Sequence, residues 1–513
     1  MLSGKSKLTC ARAVLASVPA LLTLALTACS GSSPSSPTIP PVNPVGANLT
    51  KISSDPYTVL PGQHATEVEP HVLANGSTLV ASFQTGRIAP GGSTDIGWAT
   101  STDGGNTWTH GFLPGLTTGE GTGPYDAASD PEVAYDARHA VWLIASLPIS
   151  ATLQTPAVTV SRSTDGITWQ NPVSINAASI SSDKNWIVCD STPASPHYGN
   201  CYLQWDDPGN NDRIYMNTSA DGGLTWGPAL PTAGFAGGIG GQPLVQPNGT
   251  VVVPVWLDSG DMAAFSSSDG GASWSAPALI TLVQTHLDAG GIRSGPLPSA
   301  AMDGAGNVWV VWEDCRFRAA CPTNDLVYST SSDGVNWSAV TRVPIDDTTS
   351  SVDHFIPGIG IDPATSGAAA HVAIHYYYFP QSNCTQTTCQ LFVGFISSAN
   401  NGTTWNAPVP LTGAMQLDWL PNSQNGLMVA DYIATAFTNG VPHGVFAVAS
   451  APSGGTFSEA IYTAQGLTVT AAGRQLSSAG DHPLHKLSDK IERERPEKGP
   501  IPPSRRAARR SAK

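Results

Sequence analysis

The phrase STDGGNTW at Ser101–Trp108 recurs along this 513-residue chain. It returns as STDGITW (Ser163–Trp169), SADGGLTW (Ser219–Trp226), SSDGGASW (Ser267–Trp274), SSDGVNW (Ser331–Trp337) and SANNGTTW (Ser398–Trp405), with a faded SAPSGGTF at Ser450–Phe457. From the Asp position, successive full copies are spaced by 62, 56, 48, 64 and 67 residues. A repeat on this scale indicates a stacked or radial array rather than one mixed core. Each copy sets Asp-Gly, or Asn-Gly in the last, between short apolar or Thr-rich runs, which is a hairpin signal. The Asp carboxylate can accept hydrogen bonds from the turn amides, and the closing Trp offers an apolar face to a neighbouring repeat. Turn chemistry therefore accounts for these acids without any catalytic role. The copies at Asp165 and Asp333 are one residue shorter, which predicts tighter turns.

Working outward, a longer sentence surrounds each phrase: a Pro-marked segment, a strand, a Gly/Asn turn, a second strand, a loop, then the strand into the phrase. Its openings include EPHVLANGSTLVASF (Glu69–Phe83), DPEVAYDARHAVWLIAS (Asp130–Ser146) and IPGIGIDPATSGAAAHVAIHYYY (Ile356–Tyr378). The runs are short, β-branched or aromatic, with no sustained helical period. With 42 Pro and 52 Gly, the chain is turn-dense and all-β. Four-stranded units of this length in a ring are β-propeller blades. Seven openings favour seven blades, and six good phrases leave six as the alternative. A strand within residues 51–60 is expected to close the ring on the last blade.

The expected domain order is a signal peptide at 1–28, a Ser/Pro-rich tether at 29–50, the propeller at 51–465 and a charged, basic, disordered tail at 466–513. Lys5, Lys7 and Arg12 precede an apolar run that ends Leu26-Thr27-Ala28-Cys29. A basic start, a short apolar stretch and small residues describe an export signal rather than a spanning helix. The last four residues resemble a bacterial lipobox, which implies lipidation of Cys29 and a membrane-anchored lipoprotein of the cell envelope. The charge is uneven: residues 51–470 carry ten basic against 33 acidic side chains, while 471–513 carry eleven against five. So acidic a body excludes nucleic acid as a partner and leaves the lipid anchor as the only membrane contact. The chain is expected to be a monomer.

Six of the eight Cys fall in close pairs, Cys189/Cys201, Cys315/Cys321 and Cys384/Cys389. In an exported protein such pairing predicts three local disulfides. No pair has metal-site spacing, and no loop has the regular Asp/Asn ligands of a Ca²⁺ site, so no metal and no cofactor are expected.

The Ser-x-Asp-x-Gly-x-Thr-Trp phrase is the Asp box, and from about Glu67 to Tyr462 the chain resembles the sialidase-like (BNR/Asp-box) propeller superfamily. That resemblance implies a glycan ligand held by loops on the face opposite the Asp boxes. Enzymes of the family grip a carboxylate with three Arg, and use an Asp acid and a Tyr nucleophile assisted by Glu. On this chain the resemblance nominates Arg87, Arg293 and Arg316 for the substrate, Asp95 as the acid, and Glu313 with Tyr377 (or Tyr376 or Tyr378) as base and nucleophile. The family's Arg-Ile-Pro opening of the first blade is replaced by Glu69-Pro70-His71. Arg316 beside Asp314 equally suits a salt-bridged loop, and the three tyrosines equally suit strand packing. The functional expectation is a propeller acting on or recognising glycans, with sialidase-type hydrolysis as the enzymatic form. The alternatives are a non-catalytic binding scaffold, or a polysaccharide lyase using His354 or His375 with a Tyr.

Overall fold

The strands of the computed structural model, which describes residues 44–46, 48–176 and 181–470, pair antiparallel in four-stranded units. The first unit is typical: Gln63–Asn75, Thr78–Arg87, Ser93–Ser101 and Thr109–Phe112 follow one another in order across the sheet. The first strands of the next five units are Ala127–Asp136, Asp183–Cys189, Leu244–Val245 (with Gly238–Ile239), Ser299–Met302 and Asp353–Ile361. A last unit is built from Ala434–Thr438, Val441–Ala449 and Glu459–Ala464. Its fourth strand is Leu49–Lys51, paired Leu49↔Ala464 and Lys51↔Tyr462. The closing strand thus overlaps the expected 51–60 segment only at Lys51: Leu49 and Thr50 fall in the expected tether, and residues 52–60 are not strand.

First strands adjoin in cyclic order, and Ala434–Thr438 returns against Gln63–Asn75. The result is a β-propeller. Its core is distributed between neighbouring sheets rather than central: Val141, Leu143 and Val158 pack with Leu203 and Trp205, and Trp309 and Tyr328 pack with Ile374 and Trp405.

The Asp boxes clamp as their chemistry requires. Asp103 accepts from Ser101 Oγ at 2.8 Å, Thr107 N at 2.9 Å and Thr107 Oγ1 at 2.6 Å. In the short copy, Asp165 reaches Thr168, three residues on rather than four. Asn400 replaces Asp in the last full copy and accepts from Ser398 Oγ at 3.0 Å and Thr404 N at 2.9 Å. Each box docks on the preceding unit. Gly166 (φ +72) comes so close to Val80 that a Cβ would lie 2.8 Å from it, and Gly105 (φ +89) lies as closely on His443 of the last unit. These two positions need glycine for both conformation and space.

The three expected disulfides are present. Cys189–Cys201 staples the first two strands of the third unit, where the two cysteines face each other in the ladder. Cys315–Cys321 closes the loop after Val308–Asp314, and Cys384–Cys389 closes the loop before Gln390–Ser398. The signal peptide, Cys29, tether residues 30–43 and 47, and tail residues 471–513 lie outside the described residues. Among the described residues, no helix is long and apolar enough to cross a membrane.

Candidate functional site

The first strands are interrupted at the same place in four units. Glu69 (φ 51), Asp130 (φ 47), Lys184 (φ 40) and Ile356 (φ 47) take left-handed backbone conformations although none is glycine. Each sits at a shift in strand register, between Val68 and His71, Ser129 and Glu132, Asp183 and Trp186, and Phe355 and Gly358. Such a bulge re-aims a side chain at the cost of about 1–3 kcal/mol of local strain. Here three of the four re-aimed side chains are charged, and they meet.

Lys184 Nζ lies 3.5 Å from Glu69 Oε1 and 3.5 Å from Asp130 Oδ1, and it contacts Asp431 Oδ2. Asp431, just before the first strand of the last unit, is also gripped by Arg293, whose Nε donates to Oδ1 at 2.6 Å and whose second nitrogen donates to Oδ2. Burial alone would lower Lys184, but Asp130, Asp431 and Glu69 more than offset it and raise it well above its ordinary value. Burial likewise works to raise Asp431, yet Arg293 and Lys184 hold it well below the carboxylate range. Glu69 goes the other way: burial and the charges of Asp431 and Asp130 outweigh Lys184 and raise it far above 4.5.

Above this network opens a cavity of about 170 Å³ on the face opposite the Asp boxes. One wall is charged, from Arg87, Asp130, Asp183, Lys184 and Arg293; the other is largely apolar, from Pro90, Leu147, Ile149, Leu153 and Pro208. Arg87 is 2% exposed. Its guanidinium donates to the carbonyls of Ile88 and Gly92 and to Met428 Sδ, and forms no ion pair among the described residues. Burial and the nearby charge of Arg293 lower it to about 10. Asp183 is pushed up to about 7, first by burial and then by the charge of Asp130. It is therefore an acid that gives or takes a proton near neutrality.

A hairpin, Asn422–Ser423 with Gly426–Leu427, completes the wall and brings Gln424 to the cavity. It is held by Gln63, which donates to Asn422 O at 2.7 Å, and by Arg293 N, which donates to Leu427 O at 2.7 Å.

Of the residues nominated from sequence, the cavity brings together Arg87 and Arg293 and leaves the others elsewhere. Arg316 folds back on Asp314 (2.7 and 2.9 Å) and on Leu282 O, the salt-bridged arrangement that their spacing allowed. Asp95 lies in a strand, not a loop: it accepts from Tyr57 Oη at 2.9 Å, and burial raises it to about 8. Glu313 is buried beside Asp353, and burial and that charge raise it to about 8. Tyr377 is a core residue, fully buried, with its hydroxyl donated to Ala447 O at 2.8 Å. Its neighbour Tyr376 points into the cluster around Trp309 and Tyr328, so alternation along one strand turns both tyrosines into packing. His354 and His375, the candidate lyase bases, are buried against Asn324 O and Thr435 Oγ1.

The disulfide cysteines brace the fold and do not line this cavity. Cys201 is fully buried in the cluster that holds Leu203 and Trp205, and Cys189 packs beside it. Cys321 (φ 52) ends a tight turn in which its N donates to Arg318 O at 3.0 Å, so its bond to Cys315 pins the loop that carries Arg316 and Arg318.

Sequence reading missed Asp431 altogether and did not bring Lys184, Asp130 and Asp183 together. The signal that finds three of the re-aimed positions is the phase of the openings Glu69-Pro70-His71, Asp130-Pro131-Glu132 and Ile356-Pro357-Gly358, to which Lys184-Asn185-Trp186 aligns once Pro is allowed to vary. As for metals, Asp325, Asp346 and His354 come together, but Arg318 and Arg342 occupy the space between the two acids at 2.5–2.9 Å. Guanidinium groups there do the work that a cation would do.

No family model matches this chain, and no curated protein matches it. Solved structures resemble it in fold. A Hadza microbial sialidase is similar at 15% identity and TM-score 0.41, over 78% of this chain and 65% of its own length. An ulvan lyase bound to a glucuronate–sulfated rhamnose fragment is similar at 12% identity and TM-score 0.45, over 83% and 98%. An α-L-arabinanase of Penicillium chrysogenum, complexed with arabinobiose, is similar at 16% identity and TM-score 0.41, over 82% and 98%. The chain thus spans just under two thirds of the sialidase.

Proposed function

We propose that this chain is an exported, lipid-anchored propeller of seven blades that takes an anionic sugar unit of a glycan into the axial cavity. The observation that carries the reading is Arg87. It is a buried guanidinium lining a cavity beside Arg293, and no carboxylate of the described residues neutralises it in an ion pair. A ligand carboxylate or sulfate would supply that partner through charge-assisted bonds, the strongest that such a site can make.

The enzymatic form of the reading assigns Asp183 as proton donor to a leaving oxygen and Asp130 as the neighbouring carboxylate, replacing Asp95, Glu313 and Tyr377. One observation favours the non-catalytic alternative: Lys184 and Arg293 are already engaged by Asp431, which leaves Arg87 to bind without the family's three-arginine grip.

The test is a glycan array together with fluorogenic sialosides and uronosides. Binding to carboxylated or sulfated glycans is expected. Loss of one charged hydrogen bond is worth about 1.5–3 kcal/mol, so Arg87→Ala should weaken binding about 10- to 150-fold, while Arg316→Ala leaves it unchanged. Equal binding by the Arg87→Ala variant overturns the reading. If turnover is seen, Asp183→Asn must abolish it without abolishing binding; binding with no turnover selects the scaffold form. Anchoring at Cys29 is checked by fatty-acid labelling, which Cys29→Ser should remove.

A further inference from the structure

We infer that Asp288 and Asp353 share one proton and that this proton is a latch, which fastens the loop carrying Arg293 to the body of the propeller and releases it in alkaline solution. The loop spans residues 283–298, between Ala278–Leu282 and Ser299–Met302. Asn324 is the post to which it is tied. Its side-chain carbonyl accepts from His286 N at 2.7 Å, and its amide nitrogen donates to His286 O at 2.7 Å and to Asp288 Oδ1 at 3.2 Å. The Asn324 backbone N donates to Asp353 Oδ1 at 2.6 Å, so one residue holds both acids by their Oδ1 atoms. The two carboxyls lie within hydrogen-bonding reach of each other, with the Ser294 hydroxyl also beside Asp288. Yet Asp288 Oδ2 and Asp353 Oδ2, in residues 5% and 0% exposed, receive no donor from the described residues.

Two ionised carboxylates in that position would repel each other where water cannot screen them. A proton held between their Oδ2 atoms removes one charge and supplies the missing donor, as in other carboxyl pairs that cannot both ionise. The surrounding groups do not take its place. His286 Nε2 stands 3.8 Å from Asp353 Oδ2, beyond hydrogen-bond range, and burial lowers its ring, so it is uncharged where the pair titrates. Arg318 is engaged by Asp325 and Asp346 at 2.7 and 2.9 Å, and Glu313, beside Asp353, adds a further acid. Asp314 is held by Arg316, and the His354 ring, lowered by burial, lies against Asn324 O. Among the described residues, no third His, Cys, Asp or Glu side chain joins the pair in a group that could hold a metal ion. Burial and the charge of Asp288 push Asp353 up to about 9, and burial and the charge of Glu313 raise Asp288 well above the carboxylate range. Below that pH the pair is closed. Above it the proton passes to solvent, the two charges part, and the loop keeps only its ties to Asn324 and the bond from Arg293 N to Leu427 O. Arg293 then loses the fixed backbone that presents it to the cavity.

Hydrogen exchange read by mass spectrometry on the full chain tests the latch without any ligand, so its outcome is independent of the glycan reading. The amides of His286 and Arg293, both hydrogen-bonded, report opening of the loop. Between about pH 7 and about pH 10, after correction for the intrinsic rate, opening in the parent should rise about 10- to 150-fold, the effect of losing one charged hydrogen bond. In Asp288→Asn the side-chain amide donates to Asp353 at every pH, so opening should stay level across that range. Equal opening at both ends of the range in the parent, or the same rise in the variant, overturns the inference. Should the variant fail to fold, a neutron structure of the parent at neutral pH still decides. A deuteron between Asp288 Oδ2 and Asp353 Oδ2 is expected there; a metal ion, or two bare carboxylates, overturns the inference.

Discussion

Replacing Asp431 by Asn removes one negative charge and leaves the shape of the site intact. In the parent, that carboxylate takes both donors of Arg293 and the Lys184 ammonium, with Arg293 7% and Lys184 8% exposed. After the change, Arg293 loses its ion pair with Asp431, and Lys184 keeps Glu69 and Asp130 at 3.5 Å. Breaking a buried pair from one side costs about 3–5 kcal/mol, because the surviving charge stays desolvated. Unfolding entropy of about 2.1 cal/mol/K per residue over the roughly 420 described residues converts this to a fall in Tm of about 3–6 °C. Scanning calorimetry on Asp431→Asn, Arg293→Met and the double variant measures it. The double variant should lose less than the sum of the singles, since it removes both the charge and the need for it. An Asp431→Asn protein melting within about 1 °C of the parent would refute the claim that this network is a single buried ionic unit.

Other expectations follow from the same geometry. Burial raises Glu67 and Asp183 to about 7, Asp95 and Glu313 to about 8, and Asp353 to about 9. The folded chain therefore holds protons that the unfolded chain releases near pH 4, a contribution fully present below that pH and lost as pH climbs through about 7–9. Tm should fall between about pH 5 and pH 9, and a rise over that range would contradict the assigned burial. Tyr377→Phe removes only the bond to Ala447 O, so it should cost about 1 kcal/mol in denaturant unfolding and leave ligand binding untouched. Removing Cys384 and Cys389 opens a loop of sequence separation 5 that packs on Gly290. A loss of about 2 kcal/mol is expected from the double Ser variant, and an unchanged denaturation midpoint would count against it.

The architecture was readable in the sequence because the Asp box is local. Asp103, Ser101 and Thr107 satisfy one another within seven residues, so the phrase must be present wherever the turn is. The disulfides were readable for the same reason. The site was not, because each unit gives it one or two side chains and the spacing between them carries no chemistry. Lys184 and Asp431 touch across 247 positions. Arg293 was found as a basic residue in a loop, but its partner was not, since nothing local marks Asp431. Arg316 misled for the opposite reason. It looked like one of three converging arginines, yet an acid two residues away satisfies it first.

The strand Leu49–Lys51 has a consequence for timing. Its partner, Glu459–Ala464, lies more than 400 residues later. Until that late segment has emerged, the first unit has no neighbour on one side, the Gly105 turn has no His443 to rest on, and the early strand has no edge to join. A chain still being synthesised should therefore be an open array of sheets with two unpaired rims. It becomes a ring only when Leu49–Lys51 meets Glu459–Ala464. Separating those two partner strands, by a proline at Thr50 or a cut after Lys51, should yield a chain that collapses normally yet stays prone to joining end to end with its copies.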